Sequence, residues 1–240
     1  MIMSLRYITL LLALIAGYPC VAQDHITLEQ FGVTGNGKDE TEKIINAFRQ
    51  AGEKHLSVHL LNKTYKFSPQ QTIDITGVPA ITGKGTFDAT GAGPNAGNER
   101  MNYLFSITGK KKLLQSNLKG VIAGKNTITL ESGLEIAPGD VLFITSLEPL
   151  PNNKRKYNRK GQRAIASGYN KTSGVLTIRD SLWFTIGKAN IWKNTEQPFI
   201  EIGPEIHFIT SPMNFMSCIQ LVYAKGKISG SYENFSLAAV

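Results

Sequence analysis

A single change of period constrains this chain most. Ile44, Ala47, Phe48 and Ala51 recur at i, i+3, i+4 and i+7, the stripe of an amphipathic helix. Asp39 stands as N-cap, Glu42 follows three residues later as in a capping box, and Gly52 is placed to end the helix. From there on the apolar residues recur every second position. Val58-His59-Leu60, Tyr65-Lys66-Phe67, Ile73-Asp74-Ile75 and Leu104-Phe105-Ser106-Ile107 read as short strands. One helix with one apolar face, followed only by short strands, predicts an all-β molecule with a helix laid across its end. There it covers strand edges that would otherwise template aggregation. The 23 glycines suit the turns such a fold needs, and 42% hydrophobic against 18% charged residues argues for a folded chain.

The first residues read as a leader. Arg6 is a positive n-region, Tyr7 to Gly17 is an apolar stretch, and Cys20-Val21-Ala22 places small residues before Gln23. The apolar run is too short to span a bilayer, so cleavage after Ala22 and a secreted or periplasmic location are expected. Cleavage removes Cys20 and leaves Cys218, which excludes an intrachain disulfide; within Cys218-Ile219-Gln220-Leu221 it reads as a small buried hydrophobe.

Residues 110–195 read as a β insertion. Gly139-Asp140 leads into Val141 to Ile144, and Ser173-Gly174 leads into Val175 to Ile178. Between them the polar stretch from Glu148 to Gly161 reads as a long projecting loop. After Pro198, Ile200 to Ile202, Ile206 to Ile209, Ile219 to Leu221, Lys227 to Ser229 and Phe235 to Leu237 succeed one another with short turns. Their spacing suits stacked solenoid units of about 20–25 residues. The expected organisation is thus 1–22 leader, 23–109 cap and first coils, 110–195 insertion, and 196–240 further coils. The apolar ending, Phe235 to Val240, reads as a chain cut in mid-coil.

The opening Phe31-Gly32-Val33-Thr34-Gly35-Asn36-Gly37-Lys38-Asp39-Glu40-Thr41, followed by Ile44-Ile45-Asn46-Ala47-Phe48, resembles the opening signature of the pectate lyase superfamily. Val78-Pro79-Ala80-Ile81-Thr82-Gly83-Lys84-Gly85-Thr86-Phe87-Asp88 is similar to that family's first coil. The resemblance covers residues 26–90 and extends over 195–240 by pattern only. The chain departs from the family in carrying Asn36 where Asp is common, and one residue fewer before the acidic pair. The resemblance implies a right-handed parallel β-helix with an N-terminal capping helix, in a family that includes polygalacturonase-like hydrolases and phage tailspike depolymerases.

The chemistry of that family is not legible here. The resemblance would place an Asn-Thr-Asp, a paired Asp-Asp, a Gly-His-Gly and an Arg-x-Lys on consecutive coils, and none of these occurs. Paired carboxylates would supply an acid and a water-activating base. The six Asp residues instead stand singly, which also disfavours a calcium site. Asp74, Asp88, Asp180, Glu201 and Glu205 remain as acid or base candidates, though each reads more readily as a turn or solvated-face residue. Glu205 and His207 share a strand face and can share a groove. His25, His55, His59 and His207 do not form a metal set, and no cofactor is expected.

The positive signal is basic. Lys154, Arg155, Lys156, Arg159, Lys160 and Arg163 place six cations in ten residues, with Tyr157 among them, in a chain of net charge +8. One reading is a clamp for an acidic polysaccharide, cations on its carboxylates or sulfates and Tyr157 on a sugar ring. The other is a solvated loop kept basic for solubility. Trp183 and Trp192 read as sugar platforms or, in runs such as Leu182-Trp183-Phe184, as core. Export disfavours nucleic acid. The expected function is a carbohydrate-active protein whose complete form degrades an acidic polysaccharide as hydrolase or lyase. A glycan-binding or adhesin module and a structural spike component, associating with further copies, are the alternatives.

Overall fold

The computed structural model describes residues 24–93, 102–150, 159–212 and 216–238. The leader read at 1–22, the segment Lys154 to Tyr157 and the final two residues lie outside them.

The Gly-rich opening folds around its acidic pair. After β1 (His25–Thr27), a 3₁₀ turn (Leu28–Phe31) and β2 (Asn36–Asp39), the Glu40 carboxylate turns back on the loop. It accepts the N–H of Thr34 at 2.9 and 3.0 Å, the N–H of Gly35 at 3.0 Å and the Thr34 hydroxyl at 3.0 Å. Gly35 and Gly37 hold φ of 63° and 80°, a conformation that side chains disfavour, so the glycines shape the loop and the glutamate fastens it. Burial would raise the Glu40 pKa; the Thr34 and Gly35 donors, with Lys43 beside them, outweigh it and hold the group below its ordinary value.

Helix α1 (Thr41–Lys54) buries Ile44, Ala47, Phe48 and Ala51, the stripe read from the sequence. Its ends differ from expectation. Glu40 occupies the N-cap, and Asp39 stands one residue outside, its Oδ1 accepting the Thr41 N–H at 3.0 Å. The helix passes through Gly52 and ends at His55, which takes the left-handed conformation (φ 54°). Gly52 is required for a different reason: a Cβ there would lie 2.5 Å from the Thr76 carbonyl oxygen.

Strands β3 (Ser57–Lys66), β4 (Ile73–Asp74), β5 (Ala80–Ala89) and β6 (Tyr103–Thr108) follow. Then come β7 (Lys110–Leu118), β8 (Thr127–Thr129), β9 (Val141–Pro149), β10 (Arg159–Tyr169), β11 (Val175–Ile178) and β12 (Ala189–Glu196). The chain returns through β13 (Phe199–Ile202), β14 (Ile206–Thr210), β15 (Ser217–Val222), β16 (Lys225–Ile228) and β17 (Ser231–Glu233).

The molecule is mostly β, and its sheets are mixed. One eight-stranded sheet, running β1-β3-β5-β13-β16 with β2, β14 and β17 at its sides, pairs in parallel. So does the three-stranded sheet β15-β6-β4. The six-stranded sheet β7-β12-β9-β10-β11-β8 is antiparallel.

Parallel register places like residues above one another. Tyr65, Phe87, Phe208 and Tyr232 occupy one row, with Phe87–Phe208 and Phe208–Tyr232 each stacked at 5.3 Å. Val58, Ile81, Ile202 and Ile228 occupy another. The first row recurs at intervals of 22 residues (65 to 87) and 24 (208 to 232), within the spacing read from the sequence. Phe235 to Leu237 form no strand, although Cys218 N–H and Ile219 N–H bond the carbonyls of Leu237 and Ala238. Cys218 is buried in this core, its thiol pushed up by desolvation.

The antiparallel sheet closes on its own core, with Leu142, Ile144, Leu176, Ile178 and Ile191 among its buried residues. The sequence reading placed only β9 and β11 of its six strands, and two of the others show why. β7 is lysine-rich and largely exposed, as an edge strand must be to discourage pairing. β10 buries only Ala164 and Ala166, whose small side chains give a weak alternation beneath the charges. The polar stretch is therefore shorter than the loop expected over 148–161: β9 runs to Pro149 and β10 starts at Arg159.

Candidate functional site

Three of the six clustered cations, Arg159, Lys160 and Arg163, ride on β10 rather than on a loop. Lys154, Arg155, Lys156 and Tyr157 fall outside the described residues. Arg159 pairs in register with Pro149 and Arg163 with Phe143, and both arginines are exposed. Among the described residues neither makes an ion pair. Lys160 differs. Its Nζ lies 2.8 Å from Glu148 Oε2 and donates to the Thr185 carbonyl at 2.9 Å. The other Glu148 oxygen accepts the Gly187 and Lys188 N–H groups at 2.7 and 3.1 Å. The Lys160 ammonium and the Lys188 N–H hold the Glu148 carboxyl below its usual range. Lys160 thus braces the 181–188 loop, and the two arginines carry the unneutralised charge.

The two tryptophans part company. Trp192 is half-buried: its Nε1 donates to Thr145 Oγ1 at 3.0 Å, and the Lys111 ammonium sits 4.2 Å over the ring. The same ammonium lies 4.5 Å over Tyr223, whose ring meets Phe143 edge-on at 4.7 Å. Leu113, Trp192, Phe143 and Arg163 are register partners across four strands. Trp183, read mainly as core, is 70% exposed. Leu182 is buried and Phe184 packs against the same core, and the bend at Trp183 turns the residue between them outward.

The carboxylate candidates hold structure. Asp74 and Asp88 accept the N–H two residues on, from Thr76 at 2.9 Å and Thr90 at 3.0 Å. Glu201 pairs with Lys227. Asp180 is exposed on the turn after β11. Glu205 and His207 do meet, in a pocket of about 270 Å³ shared with Lys63, Lys84, Thr64 and Thr86. The His207 ring is hydrogen-bonded to Ser231 and faces Glu233 at 3.7 Å. His59 Nδ1 lies 3.1 Å from Thr82 Oγ1 and its ring is 5.3 Å from that of His25. Among the described residues no three His, Cys, Asp or Glu side chains converge as a metal set.

A wider groove of about 870 Å³ runs beside α1. Its lining carries Asp39, Glu42, Glu53 and Asp74 against one cation, Arg49, a poor surface for a polyanion. The basic first half of β10, with exposed Arg159 and Arg163, has the opposite character. No helix among the described residues is long and apolar enough to cross a membrane.

In its fold, parallel strand pairing with an antiparallel sheet between, the chain is similar to phage tailspikes. It is similar to the tailspike protein gp49 of Pseudomonas phage LKA1, with a TM-score of 0.59 and 17% identity over 87% of this chain and 40% of that one. The gp54 tailspike of Acinetobacter baumannii bacteriophage AP22, solved in complex with A. baumannii capsular saccharide, gives 0.59 and 14% over 90% and 35%. The gp61 tailspike of Pseudomonas phage phi297 gives 0.59 and 13% over 90% and 39%. This chain spans about two fifths or less of their length, and at these identities the likeness is one of fold. No protein-family model matches the chain, and no curated protein matches its sequence.

Proposed function

We propose that this chain is part of a secreted or periplasmic right-handed parallel β-helix protein of the pectate lyase superfamily. It binds an acidic polysaccharide, and the complete protein cleaves that polymer by hydrolysis or elimination. The observation that carries the reading is the coil-upon-coil parallel pairing of β3, β5, β14 and β17, in a fold like that of tailspikes, one of which holds a capsular saccharide. The binding surface is the basic first half of β10. Arg159 and Arg163 present guanidinium forks suited to carboxylate or sulfate, and the basic segment 154–156 adjoins them in sequence.

A second reading, a non-catalytic glycan-binding module, is favoured by the carboxylates. Asp74, Asp88, Glu148 and Glu201 are each engaged in a turn or an ion pair.

Arg159→Gln/Arg163→Gln tests the surface in gels containing polygalacturonate, alginate or hyaluronate. The variant should lose about tenfold or more in affinity, and its retardation should respond less to salt than the wild type's. Equal retardation of both proteins would remove the arginines from the site. Lys160→Met should instead loosen the 181–188 loop, because it strands Glu148.

A further inference from the structure

Indole is the largest apolar side chain, and leaving it in water forgoes the burial that would stabilise the fold. Trp192, on a neighbouring strand, finds shelter and a hydrogen bond; Trp183 does neither, at 70% exposure. Its backbone is nevertheless held firmly. The Gln162 side chain brackets it, Nε2 donating to the Ser181 carbonyl at 3.1 Å and Oε1 accepting the Trp183 N–H at 2.8 Å. From the other side Leu182 N–H bonds the Lys125 carbonyl at 2.7 Å, and the Leu182 carbonyl accepts Gly124 N–H at 2.8 Å. Leu182 itself is buried beneath the loop. Lys160 and Glu148 fix the segment beyond, at Thr185, Gly187 and Lys188. The ring therefore projects from a preorganised backbone, the arrangement that lowers the ordering cost of binding.

We infer that Trp183 is a stacking platform for one pyranose ring of the polysaccharide. The inference rests on the saccharide-binding reading above and deepens it. A pyranose offers a face of C–H groups that packs on an aromatic plane, while its hydroxyls need hydrogen-bonding neighbours. The surroundings supply those: Arg179, Asp180 and Ser181 precede the ring, and Gln162, on the adjacent strand, borders it. A second protein copy would want a contiguous apolar patch. In the segment paired with this loop, Ile122 is the exposed large apolar residue.

The test titrates the wild-type chain, Trp183→Ala and Trp183→Phe with polygalacturonate, alginate and hyaluronate, following binding by calorimetry and association by sedimentation. Trp183→Ala should bind at least tenfold more weakly than wild type. Trp183→Phe, which keeps an aromatic face, should stay within about threefold, and all three should melt alike because the ring is not in the core. If wild type binds and Trp183→Ala binds equally well, the platform is refuted while the saccharide reading stands. If the substitution alters self-association and leaves saccharide affinity unchanged, Trp183 is an interface residue and the inference falls. If wild type binds none of the three polymers, the inference and the reading beneath it both fall.

Discussion

Phe87→Ala should cost about 3–5 kcal/mol of stability, a large share of the net stability of a domain. Phe87 is fully buried and is the hub of the aromatic core. Its ring lies 5.8 Å from Phe48 on the helix, 5.8 Å from Phe67, 6.1 Å from Phe105 and 5.3 Å from Phe208. It thereby joins α1, the turn after β3, and strands of both parallel sheets. Truncation removes the transfer free energy of the ring, opens a cavity between successive coils and deletes several aromatic pairs at once. Phe87→Leu, which fills most of the volume, should recover more than half of the loss. Urea denaturation of the three proteins measures this. A loss below about 1 kcal/mol for Phe87→Ala would mean that the parallel coils do not pack around this row.

Glu40→Gln should destabilise the chain by about 1–3 kcal/mol at neutral pH, because the amide turns a donor toward N–H groups that need an acceptor. The sign of the pH dependence follows from the direction of the shift. The folded-state pKa of Glu40 lies below its ordinary 4.5, so the stabilisation is complete above that value and is lost as pH falls through the lowered folded value. The gap between wild type and Glu40→Gln should therefore be widest above pH 4.5 and shrink in acid. A gap that stays constant down to pH 2 would contradict the role of the charge. Glu29 shares this direction: burial would raise its pKa, but its own backbone N–H, Lys63 and Tyr65 lower it. It adds to the acid sensitivity of the same end of the molecule.

The helix and the parallel strands were legible because each buries one full apolar face, and period is a direct record of that burial. Ile44, Ala47, Phe48 and Ala51 are all buried, as are Val58, Leu60, Tyr65 and Phe67. The helix ends were not legible. Glu40 stands at the N-cap while its side chain fastens a loop six residues back, and Gly52 is small because Thr76, distant in sequence, crosses it closely. No local rule sees either contact. Strands β7 and β10 were obscured for opposite reasons, one being an exposed edge and the other lined by alanine. At the site, composition located the basic region, but it could not distinguish Lys160, tied to Glu148, from Arg159 and Arg163, which form no ion pair among the described residues. Trp183, read either as a sugar platform or as core, is exposed because a bend turns it outward between Leu182 and Phe184, which the all-apolar triplet could not reveal.

The central claim is that an acidic polysaccharide binds the basic first half of β10 in the antiparallel sheet. Calorimetric titration of the wild-type chain with polygalacturonate, alginate and hyaluronate at low and high salt tests it most directly. The account predicts saturable binding to at least one of these polymers, weakening several-fold between about 50 and 300 mM salt as the charges are screened. Absence of heat with every polymer at low salt would contradict it. So would binding that is indifferent to salt and unaffected by Arg159→Gln/Arg163→Gln.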